Sequence, residues 1–436
     1  LPQQEDFNPK IKLPLSTWRP EVLSVQAFQL TRDARQLIQA CISKRTKPLQ
    51  KPDKLYKYCQ RVQSSPHIKI VQSDKNTGLV ALHIQDYHNA VMTHLNDTSV
   101  YQKIGEVNDP HWFLLLSIIQ DEASNLRKEF LASSYSTKQL RRYLEILPES
   151  IPKFHVLPKL HKPGFATRPI VGAPNWITTK WSILLESILE KYPCSHTLIN
   201  SQELIQQLES TTIPQTAWLI SADVTSLYTN MDLNILYRTI LQRTKSQFLV
   251  KILKFICDNN YFIYGKDIYK QNNGIAMGTN VAVRCANLYL DRFDKRFAPL
   301  CHYYARYIDD IFFIFTGNIE QYIRLRLRMN RFIPGIKLNF IRSIRSVDFL
   351  DLTVTKTTDG KIEFSTFRKA INVYQYLPSS SNHNNATIKG YIYGEILRQV
   401  RNNTDPLVRE SNIYFFYVKL RQRGFPASML HRIMMK

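Results

Sequence analysis

The stretch Tyr303-Tyr304-Ala305-Arg306-Tyr307-Ile308-Asp309-Asp310-Ile311-Phe312-Phe313-Ile314-Phe315 constrains this chain more than any other. Aromatic and β-branched residues dominate both flanks, the composition of paired, half-buried strands, and no glycine or proline marks a turn between them. Two adjacent carboxylates, Asp309 and Asp310, sit where that turn must fall. Neighbouring acids in so apolar a setting repel each other and resist desolvation. A divalent cation relieves both costs, and carboxylate oxygens are the hard ligands that Mg²⁺ or Mn²⁺ takes. The competing reading is a surface hairpin whose tip happens to carry Asp-Asp.

The context decides between them. With 436 residues, 44% hydrophobic and 11% aromatic, the chain is a folded globular protein with enough length for two to four lobes. Lys and Arg number 58 against 35 Asp and Glu, and the resulting +23 favours a polyanionic partner, since each phosphate neutralised releases counterions. The charge is spread along the chain and not gathered on one amphipathic helix, so nucleic acid is preferred to a membrane surface. The six cysteines (Cys41, Cys59, Cys194, Cys257, Cys285, Cys301) form no Cys-Xaa-Xaa-Cys pair, which argues against a disulfide framework or a zinc site and for an intracellular setting, expected to be nuclear. Trp112 to Ile119 is apolar but too short to span a bilayer. The chain starts at Leu1 without Met, as a processed product or a fragment would.

In chain order, Leu23, Ala27 and Leu30, and then Leu37, Ile38 and Cys41, are spaced for helices, and Lys44 to Lys47 is a charge cluster. Ile68 to Leu82 reads as strand, turn at Asn76–Gly78, strand, a hairpin that alone says little about function. Residues 83 to 150 read as mostly helical, with Trp112 to Ile119 as a buried segment and Lys138 to Arg142 as a basic face. Residues 154–163 and 166–171 form a second extended pair, and Pro158 and Pro169 put it at an edge or projecting flap. Lys159 and Arg168 would converge there, as a triphosphate requires, or be ordinary surface charge. Trp218 to Val224 is a buried strand carrying Asp223 near its end, a site candidate or a helix cap. Gln271 to Asn280, with Gly274 and Gly278, is a loop that lets backbone approach a ligand and precedes a helix through Ala286 and Leu290.

Taken together, these stretches resemble a reverse transcriptase, a right-hand polymerase with fingers, palm and thumb. Tyr307-Ile308-Asp309-Asp310 matches the Tyr-Xaa-Asp-Asp signature, Asp223 the upstream palm aspartate, and Gly274 to Asn287 the template-and-primer loop. Within that family the likeness is to Penelope-like retroelements, on Leu157 to Pro163, Asp223 to Asn230, Gly274 to Gly278 with Ala286 to Tyr289, Phe349 to Leu352 and Lys389 to Gly394. Where most reverse transcriptases carry Gln-Gly and then Ser-Pro, this chain has Met277-Gly278 and Ala282-Val283, places at which Penelope-like proteins vary.

The resemblance implies an α+β fold with an antiparallel palm sheet. Residues 1–67 would be a helical extension, 68–212 fingers, 213–382 palm and 383–436 a helical thumb. Asp223, Asp309 and Asp310 would be catalytic, and Asp223, Val224 and Asp309 would hold two Mg²⁺ or Mn²⁺ ions. Lys159, Arg168, Tyr228 and Gly278 would bind the nucleotide, with Tyr228 as a steric gate against a ribose 2′-hydroxyl; its plainer reading is a core tyrosine. Partners would be an RNA template, a DNA primer or hybrid, and dNTPs. On the thumb, Ile392, Ile396, Leu397 and Val400 read as an apolar face, while Lys389, Arg398 and Arg401 read as a basic face for nucleic acid. Gly390-Tyr391-Ile392-Tyr393-Gly394 fuses the two triplets that a GIY-YIG nuclease keeps apart, so the chain is expected to extend a 3′-hydroxyl and not to cut one. The reading from a different class is a domesticated, catalytically idle RNA-binding scaffold, which three intact carboxylates disfavour.

Overall fold

The structure, a computed structural model, describes residues 61–434 apart from 62, 63, 77, 148, 149, 161–164, 370, 371 and 373. The helices expected at residues 23–41, the charge cluster at 44–47 and the tip of the flap therefore lie outside the described residues.

Strands β1 (Ile68–Gln72) and β2 (Leu79–His83) form a hairpin leading into helix α1 (Ile84–Leu95), strand β3 (Tyr101–Glu106) and helices α2 (Pro110–Ala132) and α3 (Lys138–Tyr143). The hairpin β4 (Lys153–Pro158) and β5 (Thr167–Gly172) precedes helices α4 (Thr179–Leu189) and α5 (Ser201–Leu208). Strand β6 (Trp218–Val224) continues through the single turn α6 (Leu227–Asn230) into helices α7 (Leu233–Thr244) and α8 (Gln247–Asp258). Strands β7 (Tyr261–Tyr264) and β8 (Asp267–Gln271), helix α9 (Ala282–Phe297), strands β9 (Tyr303–Tyr307) and β10 (Asp310–Phe315), and helix α10 (Ile319–Phe332) follow. Then come strands β11 (Leu338–Ser343), β12 (Ser346–Phe349), β13 (Leu352–Lys356) and β14 (Ile362–Thr366), and helices α11 (Asn385–Asn402), α12 (Pro406–Gln422) and α13 (Ala427–Met434).

Among the described residues, the sheet that matters most is the antiparallel β11-β6-β10-β9. Strand residues alternate between faces, and here both faces are buried for most of the strand length. Ile311, Phe313, Ile220 and Ala222 point into a core built with α7, α8 and α9, whereas Phe312, Ile314 and Leu219 point into a second core with α5 and the β12-β13-β14 sheet. By the same alternation Asp223 and Asp310 face the second side. They stand at its uncovered end.

A further sheet, β3-β8-β7-β4-β5, places β5 at its edge, which is where Pro169 is tolerated, having no N–H to donate to a ladder. Residues 83 to 150 are mostly helical as expected, through α1, α2 and α3, and hold one strand besides, Tyr101–Glu106, whose polar sequence is extended because it pairs with β8; one expectation needs correction. Trp112 and Ile119 are buried on α2, but Phe113, Leu114 and Ile118 are exposed, because a helix on the outside of a core hides one stripe only.

Candidate active site

Strand β6 delivers Asp223 and the β9–β10 hairpin delivers Asp309 and Asp310. The register sets Asp310 directly opposite Asp223, and directly opposed residues have Cβ atoms roughly 4.5–5.5 Å apart. Tyr307 pairs with Asp310, so Ile308 and Asp309 alone make the turn. Ile308 has φ +57°, while Asp309 has an ordinary negative φ. A positive φ at the first central residue only is the II′ pattern, normally given to glycine; for a β-branched residue it is a true outlier.

Two contacts hold that turn. The Asp309 carbonyl accepts a hydrogen bond from the Val224 N–H (3.0 Å), which ties the hairpin tip to the residue after Asp223. The Ile308 carbonyl accepts one from Nη1 of Arg306 (2.8 Å). Arg306 is fully buried and ion-paired with fully buried Asp294 of α9, at 2.6 Å. Tyr304 donates its hydroxyl proton to the same carboxylate at 2.8 Å.

Crowded acids behave as the sequence foretold. Burial pushes the Asp310 carboxyl up to about 6, with Asp309 and Asp223 adding repulsion. Burial raises Asp309 as well, against the pull of Arg168, Arg306 and Lys75. Among the described residues no three His, Cys, Asp or Glu side chains form a ready-made cage. Mg²⁺ does not need one: it is held by one or two carboxylates with substrate oxygens and water. An all-oxygen donor set with unfavourable mutual repulsion fits such ions, and Asp223, Asp309 and the Val224 main chain would hold them.

The other expected residues surround this point unevenly. Arg168 sits on edge strand β5, ion-paired with Asp74 at 3.4 Å while its side chain stays 42% exposed. Lys159 follows β4, its N–H donating to the Ala166 carbonyl across the hairpin, so the two cations share one flap. Tyr228 is half-buried in α6, its hydroxyl pushed up to about 12 by burial and then by Asp309. Gly274 (φ +70°) packs against main chain at Tyr228, and the Ile275 N–H donates to the Tyr228 carbonyl, so the glycine loop and the residue expected to be the gate are one unit. Gly278 (φ +115°) faces Val171 of the flap, 2.7 Å from where a Cβ would sit. That glycine is required by the protein's own packing, before any ligand is considered.

On α11, Lys389 and Arg401 are exposed, but Arg398 donates to Glu395 at 2.9 and 2.7 Å and to Asp351 at 3.3 Å. Its charge is thus matched within the chain, a correction to its place on a free basic face. The expected apolar face of α11 holds at Ile392, which is buried, and at Ile396, which packs against the same core, but Val400 is exposed and Gln399 and Asn402 are buried and hydrogen-bonded instead. Polar residues can fill a helix's inner face when each finds a partner, and hydrophobic spacing cannot foresee that. Gly390 to Gly394 lies inside this helix.

Sequence reasoning missed three contributors. Lys75, in the β1–β2 turn with φ 62°, lies close enough to Asp309 and Asp310 to oppose their protonation, and Lys369 does the same to Asp310. Arg306 carried one signal that went unused: a charge in the middle of an apolar strand.

The architecture and the acid cluster define a right-hand polymerase fold. Residues 160–340 match the family model described as reverse transcriptase (RNA-dependent DNA polymerase). The structure is similar to telomerase from Candida albicans in complex with a fragment of telomeric RNA: TM-score 0.54, 12% identity, 84% of this chain against 64% of that one. It is also similar to the RNA-dependent RNA polymerase of a human picobirnavirus: TM-score 0.46, 10% identity, 92% of this chain and 83% of that one. The first likeness shows the fold. The chain spans 64% of the length of the Candida telomerase chain. No curated protein matches the sequence.

Proposed function

We propose that this protein is an RNA-directed DNA polymerase of a Penelope-like retroelement, adding deoxynucleotides to a primer 3′-hydroxyl. The observation that carries the reading is the meeting of Asp223, Asp309 and Asp310 at the open end of the central sheet, where their mutual repulsion has no purpose without cations. The match of residues 160–340 to the reverse transcriptase family supports it, and the ordered Penelope-like motifs support the finer assignment.

Asp223 and Asp309 would hold divalent cations, which would supply the stabilisation of charge on the attacking and leaving oxygens that phosphoryl transfer demands. The chain's own residues do the rest. Arg168 is paired with Asp74 only loosely and can exchange that carboxylate for a triphosphate, helped by Lys159. The Gly274 loop holds the Tyr228 main chain, and the Tyr228 ring would block the space a 2′-hydroxyl needs. Exposed Lys389 and Arg401 offer phosphate contacts that carry no sequence information.

Extension of a DNA primer on an RNA template with dNTPs and Mg²⁺ tests the assignment. The reading predicts extension that a chelator stops. Incorporation of ribonucleotides in preference to dNTPs would overturn the DNA-polymerase assignment, and bound primer-template that is never extended, with Mg²⁺ or Mn²⁺, would favour the idle scaffold.

A further inference from the structure

We propose that Arg306 is a positioning residue whose buried guanidinium, anchored on Asp294, holds the Ile308 carbonyl and thereby keeps the Ile308–Asp309 turn in the strained form that presents the carboxylates. The activity side of this inference rests on the polymerase reading above.

Burying a guanidinium is costly, and a well-packed aliphatic side chain of similar volume commonly does as well or better for stability. A purely structural role therefore leaves Arg306 unexplained. What an aliphatic side chain cannot do is donate. Every nitrogen of Arg306 is engaged: Nε with Asp294 at 3.0 Å to both oxygens, Nη2 with Asp294, Thr197 and the Asn287 carbonyl, and Nη1 with the Asn287 side chain at 2.9 Å and the Ile308 carbonyl at 2.8 Å. Asn287 and Asp294 are seven residues apart on α9, hence on one face of that helix. The helix is the rigid bracket and Arg306 the arm.

The carbonyl it grips is the informative one. In a two-residue hairpin turn that oxygen lies on the central peptide, and a change to a type I or II turn, in which the Ile308 φ becomes negative, reorients it. A β-branched residue at φ +57° leaves that conformation unless its surroundings over-determine it. Releasing the Ile308 carbonyl lets the Ile308 φ turn negative and the turn change type, which swings Asp309 away from Asp223 while the strands on either side stay paired.

Glycine takes positive φ freely, so it does not need the arm. That makes the test a comparison of Arg306→Lys in two backgrounds, native and Ile308→Gly. Lysine keeps the charge near Asp294 but lacks the fork that reaches Ile308 as well. In the native background Arg306→Lys should lower kcat for single-nucleotide addition about tenfold, with KM for the dNTP little changed, because the productive turn is populated that much less. Mn²⁺ affinity, read by paramagnetic resonance, should fall with it. In the Ile308→Gly background the same substitution should cost less than about threefold in both readouts. The melting temperature should drop equally in both backgrounds. Asn287→Ala, which spares the ion pair and removes one anchor of Nη1, should show the same background dependence at smaller size and covers the case in which Arg306→Lys fails to fold. Equal losses in both backgrounds would overturn the proposal and leave Arg306 a stabilising residue. If the native protein never extends a primer, the polymerase reading fails, and the Mn²⁺ titration across the same proteins still decides the role of Arg306.

Discussion

Gly274→Ala should damage the proposed nucleotide site through one identifiable contact. An added Cβ lies 2.0 Å from the Tyr228 carbonyl oxygen, 2.7 Å from Thr229 Cα and 2.9 Å from the Thr229 carbonyl carbon. All three are main-chain atoms, so no rotamer change relieves the overlap. At φ +70° alanine also bears a left-handed strain of about 1–2 kcal/mol. Separating the two segments breaks the 2.8 Å hydrogen bond from the Ile275 N–H to the Tyr228 carbonyl. That bond is worth about 1 kcal/mol. The total of about 2–3 kcal/mol is survivable for a folded protein, and relief comes by moving Tyr228 itself. The assay is a melting curve together with the ratio of ribonucleotide to deoxynucleotide incorporation. Gly390→Ala is the control: it sits inside α11 with nothing within 4 Å of the added atom. Alanine there should raise stability by about 0.5–1 kcal/mol and leave the sugar ratio alone. A Gly274→Ala protein that melts like the native one with an unchanged sugar ratio would refute the coupling of loop and gate.

Tyr228→Val should relax sugar selection, raising ribonucleotide incorporation relative to dNTP, and an unchanged ratio removes Tyr228 from the gate. Burial, and then Asp309 and Asp223, push the Asp310 carboxyl from its ordinary 3.8 up to about 6 in the folded protein. The folded state therefore keeps a proton that the unfolded state has lost, and without divalent ions stability should fall as pH rises from about 4 to 6 and stay low above that. In chelator, Asp310→Asn should accordingly melt higher than the native protein at pH near 8 and equal to it near 3.5; a lower melting temperature at pH near 8 contradicts the repulsion argument.

What was legible beforehand was whatever is written locally. The β9–β10 pair, the strand ending near Asp223, the edge position of Pro169 and the glycine loop ahead of α9 all follow from short-range composition and turn chemistry. What was illegible depends on partners distant in sequence. Tyr101–Glu106 is a strand because β8 accepts it, Arg398 loses its freedom to Asp351, and Lys75 matters because the β1–β2 turn folds back toward Asp310. The Arg306–Asp294 pair is the sharpest case, since nothing in the order of residues says which acid an internal arginine will meet.

The central claim is that the carboxylates at the end of β6 and in the β9–β10 turn perform nucleotidyl transfer. Single-turnover primer extension on an RNA template, run with native protein and Asp309→Asn beside a direct measurement of primer-template affinity, tests it most directly. The account predicts that Asp309→Asn abolishes nucleotide addition while binding the primer-template as tightly as the native protein. Native rates of extension in Asp309→Asn would contradict it.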